Sequence, residues 1–303
     1  MEWEKRGLVW GPDGSAPWAR HSALQPTPLV LDDGSLRVFV GLRDDRGRGS
    51  VGFVDLDPDD PGRVMRVCDR PALAPANAGA FARDGVVPAA VVRAGGELRL
   101  YYAGYTRRAD VRFQVLCGLA RSDDDGETFH AHADEPILPP TSRERLFRVI
   151  HSVLWEDGRW RAWYGAGSEF RTGAAKTLPV YDIRHFESPD GVVWPDAGTV
   201  CIPIAGDEHR VGRPWVVARD GGYEMYFGAG SETAPYRLAY ASSPDGVGWR
   251  RDDAALNLGP SAEGWDSEMV AYPAVVTVLG RTYLFYNGNA YGHDGFGYAV
   301  RTA

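Results

Sequence analysis

Three side chains of the 303-residue sequence stand out for chemistry: Asp84, Glu268 and His151. Asp84 and Glu268 belong to no repeated turn element, so no structural duty accounts for them. Two carboxylates divide acid and base work when a poorly hydrated site raises the pKa of one and the other stays ionised. A second candidate set joins a histidine, a carboxylate and an arginine, with His151 or His21 moving a proton and Arg213 stabilising developing negative charge. That set suits an elimination, cyclisation, epimerisation or phosphate-assisted step. The residues expected to hold the ligand are His21, Gln25, Arg43, Asp44, Tyr105, Arg213, Asp266, Tyr272 and Asn287. Aromatic faces with paired donors and acceptors suit a sugar, whose C–H faces stack and whose hydroxyls need partners on both sides.

A repeat of about sixty residues must position these groups. Five aromatic-rich strands recur: Leu36-Arg-Val-Phe39, Leu98-Arg-Leu-Tyr-Tyr102, Trp160-Arg-Ala-Trp-Tyr164, Tyr223-Glu-Met-Tyr-Phe227 and Tyr283-Leu-Phe-Tyr286. With Phe39, Tyr102, Tyr164, Phe227 and Tyr286 as equivalents, the spacings are 63, 62, 63 and 59. An earlier strand in each period opens at a proline in four cases (Pro26, Pro88, Pro214 and Pro273) and at His151 in the third. Proline as first residue of a strand costs no ladder hydrogen bond. A third strand follows, then a turn such as Ser188-Pro-Asp-Gly-Val-Val-Trp194 or Ser243-Pro-Asp-Gly-Val-Gly-Trp249, rich in the residues that tight turns require.

Four antiparallel strands per period is the unit of a β-propeller blade. The expected fold is therefore all-β, a five-bladed β-propeller in one domain, residues 1–303. Its blades span about 20–75, 80–140, 145–203, 208–260 and 266–303. The last period stops after its third strand, so residues 1–10 are expected to supply the outer strand of the last blade. The innermost strands line a central channel, and the candidate residues cluster where those strands begin. Glu169 and Glu232 repeat within Gly-Ala-Gly-Ser-Glu and are expected to serve the turns.

Composition removes whole classes of function. No apolar run is long enough to cross a bilayer, and a net charge of −8 argues against a nucleic-acid partner. Three distant cysteines, with no apolar h-region after Met1, fit a reducing cytoplasm. Scattered histidines and the absence of CxxC give no metal site, and no cofactor is expected. No GxSxG elbow, Walker loop or dinucleotide fingerprint is present.

These residues resemble the five-bladed carbohydrate-active superfamily that includes glycoside hydrolase families 43, 32, 68 and 130. The likeness spans essentially the whole chain. It rests on the five periods, on Gln25-Pro-Thr-Pro-Leu, on the Ser-Pro-Asp-Gly-Val-x-Trp turns and on Gly264-Trp-Asp-Ser-Glu268 ahead of Tyr272-Pro273. Ser122 to Phe129 also fits a sialidase-type Asp box, a structural turn. The resemblance implies a glycoside hydrolase-like enzyme acting on a sugar or glycosylated small molecule. In families 43 and 32 it would also imply an acid near the start of the inner strand in each of blades one to three. Here Gln25 holds the first place, Val87 and Ala89 flank Pro88 in the second, and Arg148-Val-Ile-His151-Ser carries no carboxylate in the third. Three expectations follow: acid/base hydrolysis by Asp84 with Glu268, the same scaffold turned to a non-hydrolytic biosynthetic step, or a carbohydrate-binding propeller without catalysis.

Overall fold

Inner strands are buried and outer ones are less so. In the computed structural model, which describes residues 1–302, the strand His21–Val30 is almost wholly buried, whereas Val64–Val67, three strands later, is mostly exposed. A strand covered on both faces must be apolar on both, and an outer one need not be. The chain opens with β1 (Glu2–Trp10). Group one comprises β2 (His21–Val30), β3 (Leu36–Arg43), β4 (Gly49–Leu56) and β5 (Val64–Val67). Group two comprises β6 (Gly85–Ala94), β7 (Glu97–Thr106), β8 (Gln114–Ser122) and β9 (His130–Ala131). Group three comprises β10 (Phe147–Glu156), β11 (Arg159–Thr172), β12 (Thr177–Ser188) and β13 (Thr199–Ile202). Group four comprises β14 (Glu208–Arg219), β15 (Gly222–Ser231), β16 (Arg237–Ser243) and β17 (Arg250–Arg251). Group five comprises β18 (Ala271–Val278), β19 (Arg281–Asn287) and β20 (Phe296–Thr302). All pairings inside a group are antiparallel, and β1 lies antiparallel on β20, from Glu2 opposite Thr302 to Trp10 opposite Phe296.

The core is distributed among the seams between neighbouring groups. Leu36, Val38 and Val54 of group one pack on Phe285 and Phe296 of group five, and Phe39 and Phe53 pack on Leu98 and Tyr102 of group two. Tyr101 meets Ile150 and Tyr164, Trp163 meets Val211 and Phe227, and Tyr226 meets Leu284 and Tyr286. The first strands β2, β6, β10, β14 and β18 each contact the next, and β18 returns to β2. This is an all-β, propeller-type arrangement. Among the described residues no helix is long and apolar enough to cross a membrane.

Three Ser-x-Asp turns tie successive groups together. Ser188 Oγ accepts the Gly191 N–H at 3.0 Å, and Asp190 accepts the amides of Val192 and Val193 at 2.8 Å. Ser122 with Asp124 and Ser243 with Asp245 repeat the pattern. Each turn then docks on the second strand of the preceding group. Arg37, Arg99 and Arg161 donate to the Asp125, Asp190 and Asp245 carbonyls, and two residues along the same strand Tyr101 and Trp163 donate to the Gly191 and Gly246 carbonyls. Phe39 packs against Gly126 in the matching place. These contacts correct the repeat alignment by one residue: Phe39 matches Tyr101 and Trp163, and Val40, facing the interrupted stretch of β2, matches Tyr102 and Tyr164. The aromatic character of Phe39 suggested the wrong register because Val40 fills its equivalent site with a β-branched residue.

Candidate functional site

Every first strand carries one residue too many for its partner. Gln25–Pro26 stand opposite Val40, Pro88–Ala89 opposite Tyr102, Ile150–His151 opposite Tyr164, Arg213–Pro214 opposite Phe227 and Tyr272–Pro273 opposite Tyr286. A bulge bends its strand and re-aims a side chain. Proline at the second place in three of the five suits this break, since no ladder bond is asked of its nitrogen. The residues before those prolines, Gln25, Arg213 and Tyr272, hold φ of 53°, 55° and 58°. Left-handed backbone in non-glycine residues costs about 1–2 kcal/mol each and collects where function requires it.

The bulges converge on a cavity of about 970 Å³. Its wall includes Gln25, Arg43, Asp84, Tyr105, His151, Arg213 and Tyr272 from the sequence-derived set, with contributions from all five first strands. Five other candidates lie outside that wall, each for a visible reason. Glu268 is exposed, its segment held by the Asn289 side chain, whose Oδ1 accepts the Glu268 and Met269 amides at 2.7 and 3.1 Å. Asp266 is buried against Lys5 of β1 at 2.6 Å and accepts the Tyr286 hydroxyl. Asn287 is a buried strut, accepting the Gln25 amide and donating to the Ala23 and Gly295 carbonyls. His21 stacks on His293, and Asp44 caps its own turn through the amides of Arg46 and Arg48. Asp84 and Glu268 therefore do not face each other across the cavity, and the paired-carboxylate arrangement is withdrawn.

The cavity floor holds buried polar atoms without partners. Gln25 Oε1, His151 Nδ1 and Arg213 Nε make no hydrogen bond within the chain. Arg213, only 3% exposed, donates to the Pro26 carbonyl at 3.1 Å, to Thr27 Oγ1 at 2.9 Å and to the Ala89 carbonyl, and no carboxylate pairs with it. Burial lowers its pKa to about 9, partly opposed by Tyr272. Burial, then the Arg213 charge, push His151 well below its ordinary range, so it is neutral near pH 7. The Tyr272 phenol is pushed far up by burial and stays protonated as a donor.

Sequence reasoning missed much of the wall. Tyr181, Tyr236 and Tyr291 form a phenolic face, with the Tyr181 and Tyr236 hydroxyls hydrogen-bonded and Arg210 lying 4.0 Å from the Tyr236 ring centre. Arg107 and Arg112 come from the β7–β8 connection and Lys176 from the β11–β12 hairpin. The unusual length of the strands Arg159–Thr172 and Thr177–Ser188, which carries this hairpin to the wall, is visible only in the structure. Two acids reach the wall. Asp84 accepts the Arg107 amide at 2.7 Å, and the exposed Glu232 accepts the Ala174 amide. Among the described residues no cluster of His, Cys, Asp and Glu is placed to hold a metal ion.

Comparison with known proteins adds fold and kinship. No protein-family model matches the chain. Among solved structures it is similar to a glycoside hydrolase, with a TM-score of 0.76 and 17% identity over 99% of this chain and 92% of the other. It is also similar to the GH43_1 enzyme from Xanthomonas citri complexed with xylose, with a TM-score of 0.66 and 16% identity over 97% and 90%. These likenesses establish a propeller-type fold. Against sequences, it is 32% identical over 301 residues, 99% of both chains, to the uncharacterized protein Rv1502 of Mycobacterium tuberculosis (strain ATCC 25618 / H37Rv). At that identity and coverage, the chain belongs to the same family as Rv1502.

Proposed function

We propose that the chain is a single-domain, five-bladed propeller enzyme that binds a sugar or glycosylated small molecule in the cavity and transforms it by acid/base catalysis. The observation that carries this reading is the ring of bulges, which turns His151, Arg213, Gln25 and Tyr272 onto one floor. Strain and orphaned polar atoms at one place are costs that a purely structural floor would not retain. The xylose complex of a protein with the same fold supports a carbohydrate as ligand. Because Asp84 has no facing carboxylate on the floor, His151 is assigned the base, Arg213 the stabilisation of developing negative charge and Tyr272 hydrogen-bond donation. This favours the non-hydrolytic branch, in which the base removes a proton from carbon in an elimination or epimerisation.

The test is turnover of a glycoside panel in D2O by wild type, His151→Gln and Asp84→Asn. Loss of at least about a hundredfold in His151→Gln is expected if the imidazole transfers the proton. Deuterium at a sugar carbon or a new C=C bond, without reducing sugar, identifies the non-hydrolytic branch; released reducing sugar identifies hydrolysis. Tight binding with no conversion by wild type overturns the enzyme reading in favour of a binding protein.

A further inference from the structure

The cavity wall has a charge opposite to that of the molecule. Six cationic side chains line it: Arg43, Arg107, Arg112, Lys176, Arg210 and Arg213. Two carboxylates, Asp84 and Glu232, line it with them, which leaves an excess of four positive charges inside a chain of net charge −8. None of the six has a carboxylate within 4.0 Å among the described residues, whereas the other well-buried arginines Arg37 and Arg148 are each paired with one. Both wall carboxylates already accept a backbone amide. A concave surface with an excess of one sign focuses its field on whatever enters. Guanidinium forks without a counter-ion are matched to planar or tetrahedral oxyanions.

A second observation, independent of the count, comes from the floor. Arg213 is 97% removed from solvent by its 3% exposure, yet is satisfied only by carbonyls and a hydroxyl, with Nε unpaired. A buried charge in a folded protein is ordinarily paired. Arg213 has no anionic partner among the described residues, and it lines the cavity.

We propose, building on the sugar-binding reading above, that the ligand is anionic: a saccharide or glycosylated small molecule bearing a carboxylate, phosphate or sulfate group that the cationic wall receives, with the sugar ring against the tyrosine face. The same oxyanion chemistry has a second source, a free inorganic anion seated beside a neutral sugar. The probes therefore separate the two.

Binding is measured by calorimetry for glucose, glucuronate, glucose 6-phosphate and inorganic phosphate, at low and high salt, on wild type, Arg43→Gln and Lys176→Gln. Neither substituted side chain makes a hydrogen bond or ion pair within the chain, and matching melting temperatures verify that the variants fold. Charged sugars are expected to bind at least about tenfold more tightly than glucose, each variant to lose about three- to tenfold for charged sugars only, and added salt to erode the difference. Phosphate binding alone, with glucose tightened by added phosphate, keeps the anion site and assigns it to the inorganic source, overturning the anionic-sugar form. Glucose bound as tightly as its charged relatives overturns the proposal and leaves the sugar reading standing. Silence of all four probes, phosphate included, overturns it as well; phosphate binding with no effect of any sugar retains the oxyanion site and overturns the sugar reading instead.

Discussion

Arg148 and Arg213 sit on the first strands of neighbouring groups, 1% and 3% exposed. Arg148 is saturated: Glu144 accepts its Nε at 2.6 Å, and the Pro139, Pro195 and Asp196 carbonyls take both terminal nitrogens. Glu144, itself fully buried, also accepts Tyr164 and Arg184. Arg213 has the same burial and no counter-ion. The first arrangement closes on itself and has no capacity left for a ligand. The second is complete only when something else is present. Burial alone therefore does not separate a structural arginine from a functional one; the state of its hydrogen-bond ledger does.

Breaking each side of that contrast should give opposite results. The largest effect is expected for Arg148→Met, which leaves Glu144 buried and poorly compensated: about 3–5 kcal/mol of stability lost, read from urea denaturation. A loss below about 1 kcal/mol would refute the view that this network is structural. Arg213→Met should do the reverse. Removal of a desolvated charge offsets the carbonyls it leaves unpaired, so stability stays within about 1 kcal/mol while turnover falls at least about a hundredfold. Unfolding with no specific loss of turnover would place Arg213 with Arg148.

Histidines sharpen the comparison by pH. His185, buried beside Trp163, is held at a pKa of about 4, chiefly by burial and then by Arg161. Its folded pKa lies below the ordinary 6.5, so the unfolded chain takes up the proton first as pH falls. Stability is therefore retained above pH 6.5 and lost between 6.5 and about 4, at up to about 1.4 kcal/mol per unit for this group. His185→Gln should flatten that limb in denaturation curves taken across the interval, with turnover at pH 7 unchanged. The smallest effect belongs to Gly191→Ala. At φ of 73° with a Cβ 2.9 Å from the Tyr101 hydroxyl, it should cost about 1–2 kcal/mol and lower Tm without altering activity.

The repeat was readable because the residues that build it are chemically loud. Arg37, Arg99 and Arg161 recur at intervals of 62, each two residues before an aromatic one, and the Ser-x-Asp turns follow them. The register slipped only at Val40, where the loud residue was its neighbour Phe39. At the site, the X-Pro steps marked Gln25, Arg213 and Tyr272, because a proline inside an apolar run signals a broken ladder. Glu268 misled because its backbone is held by Asn289, twenty-one residues later, and Asp266 because its partner Lys5 lies 261 residues away. Arg107, Arg112 and Lys176 stand in connections without periodicity, where spacing says nothing about which way a side chain faces.

The pairing of β1 with β20 also has a consequence in time. Glu2 stands opposite Thr302, so β1 acquires its partner only after the whole of the intervening chain and β20 have been synthesised. Until then β1 is an unclaimed strand, free to pair with any other exposed backbone. The first half of its sequence, with Glu2, Glu4, Lys5 and Arg6 around Trp3, places charges where they discourage such pairing. One of those charges, Lys5, later anchors the finished strand by meeting Asp266. The same residue thus protects the waiting strand and fastens the completed one.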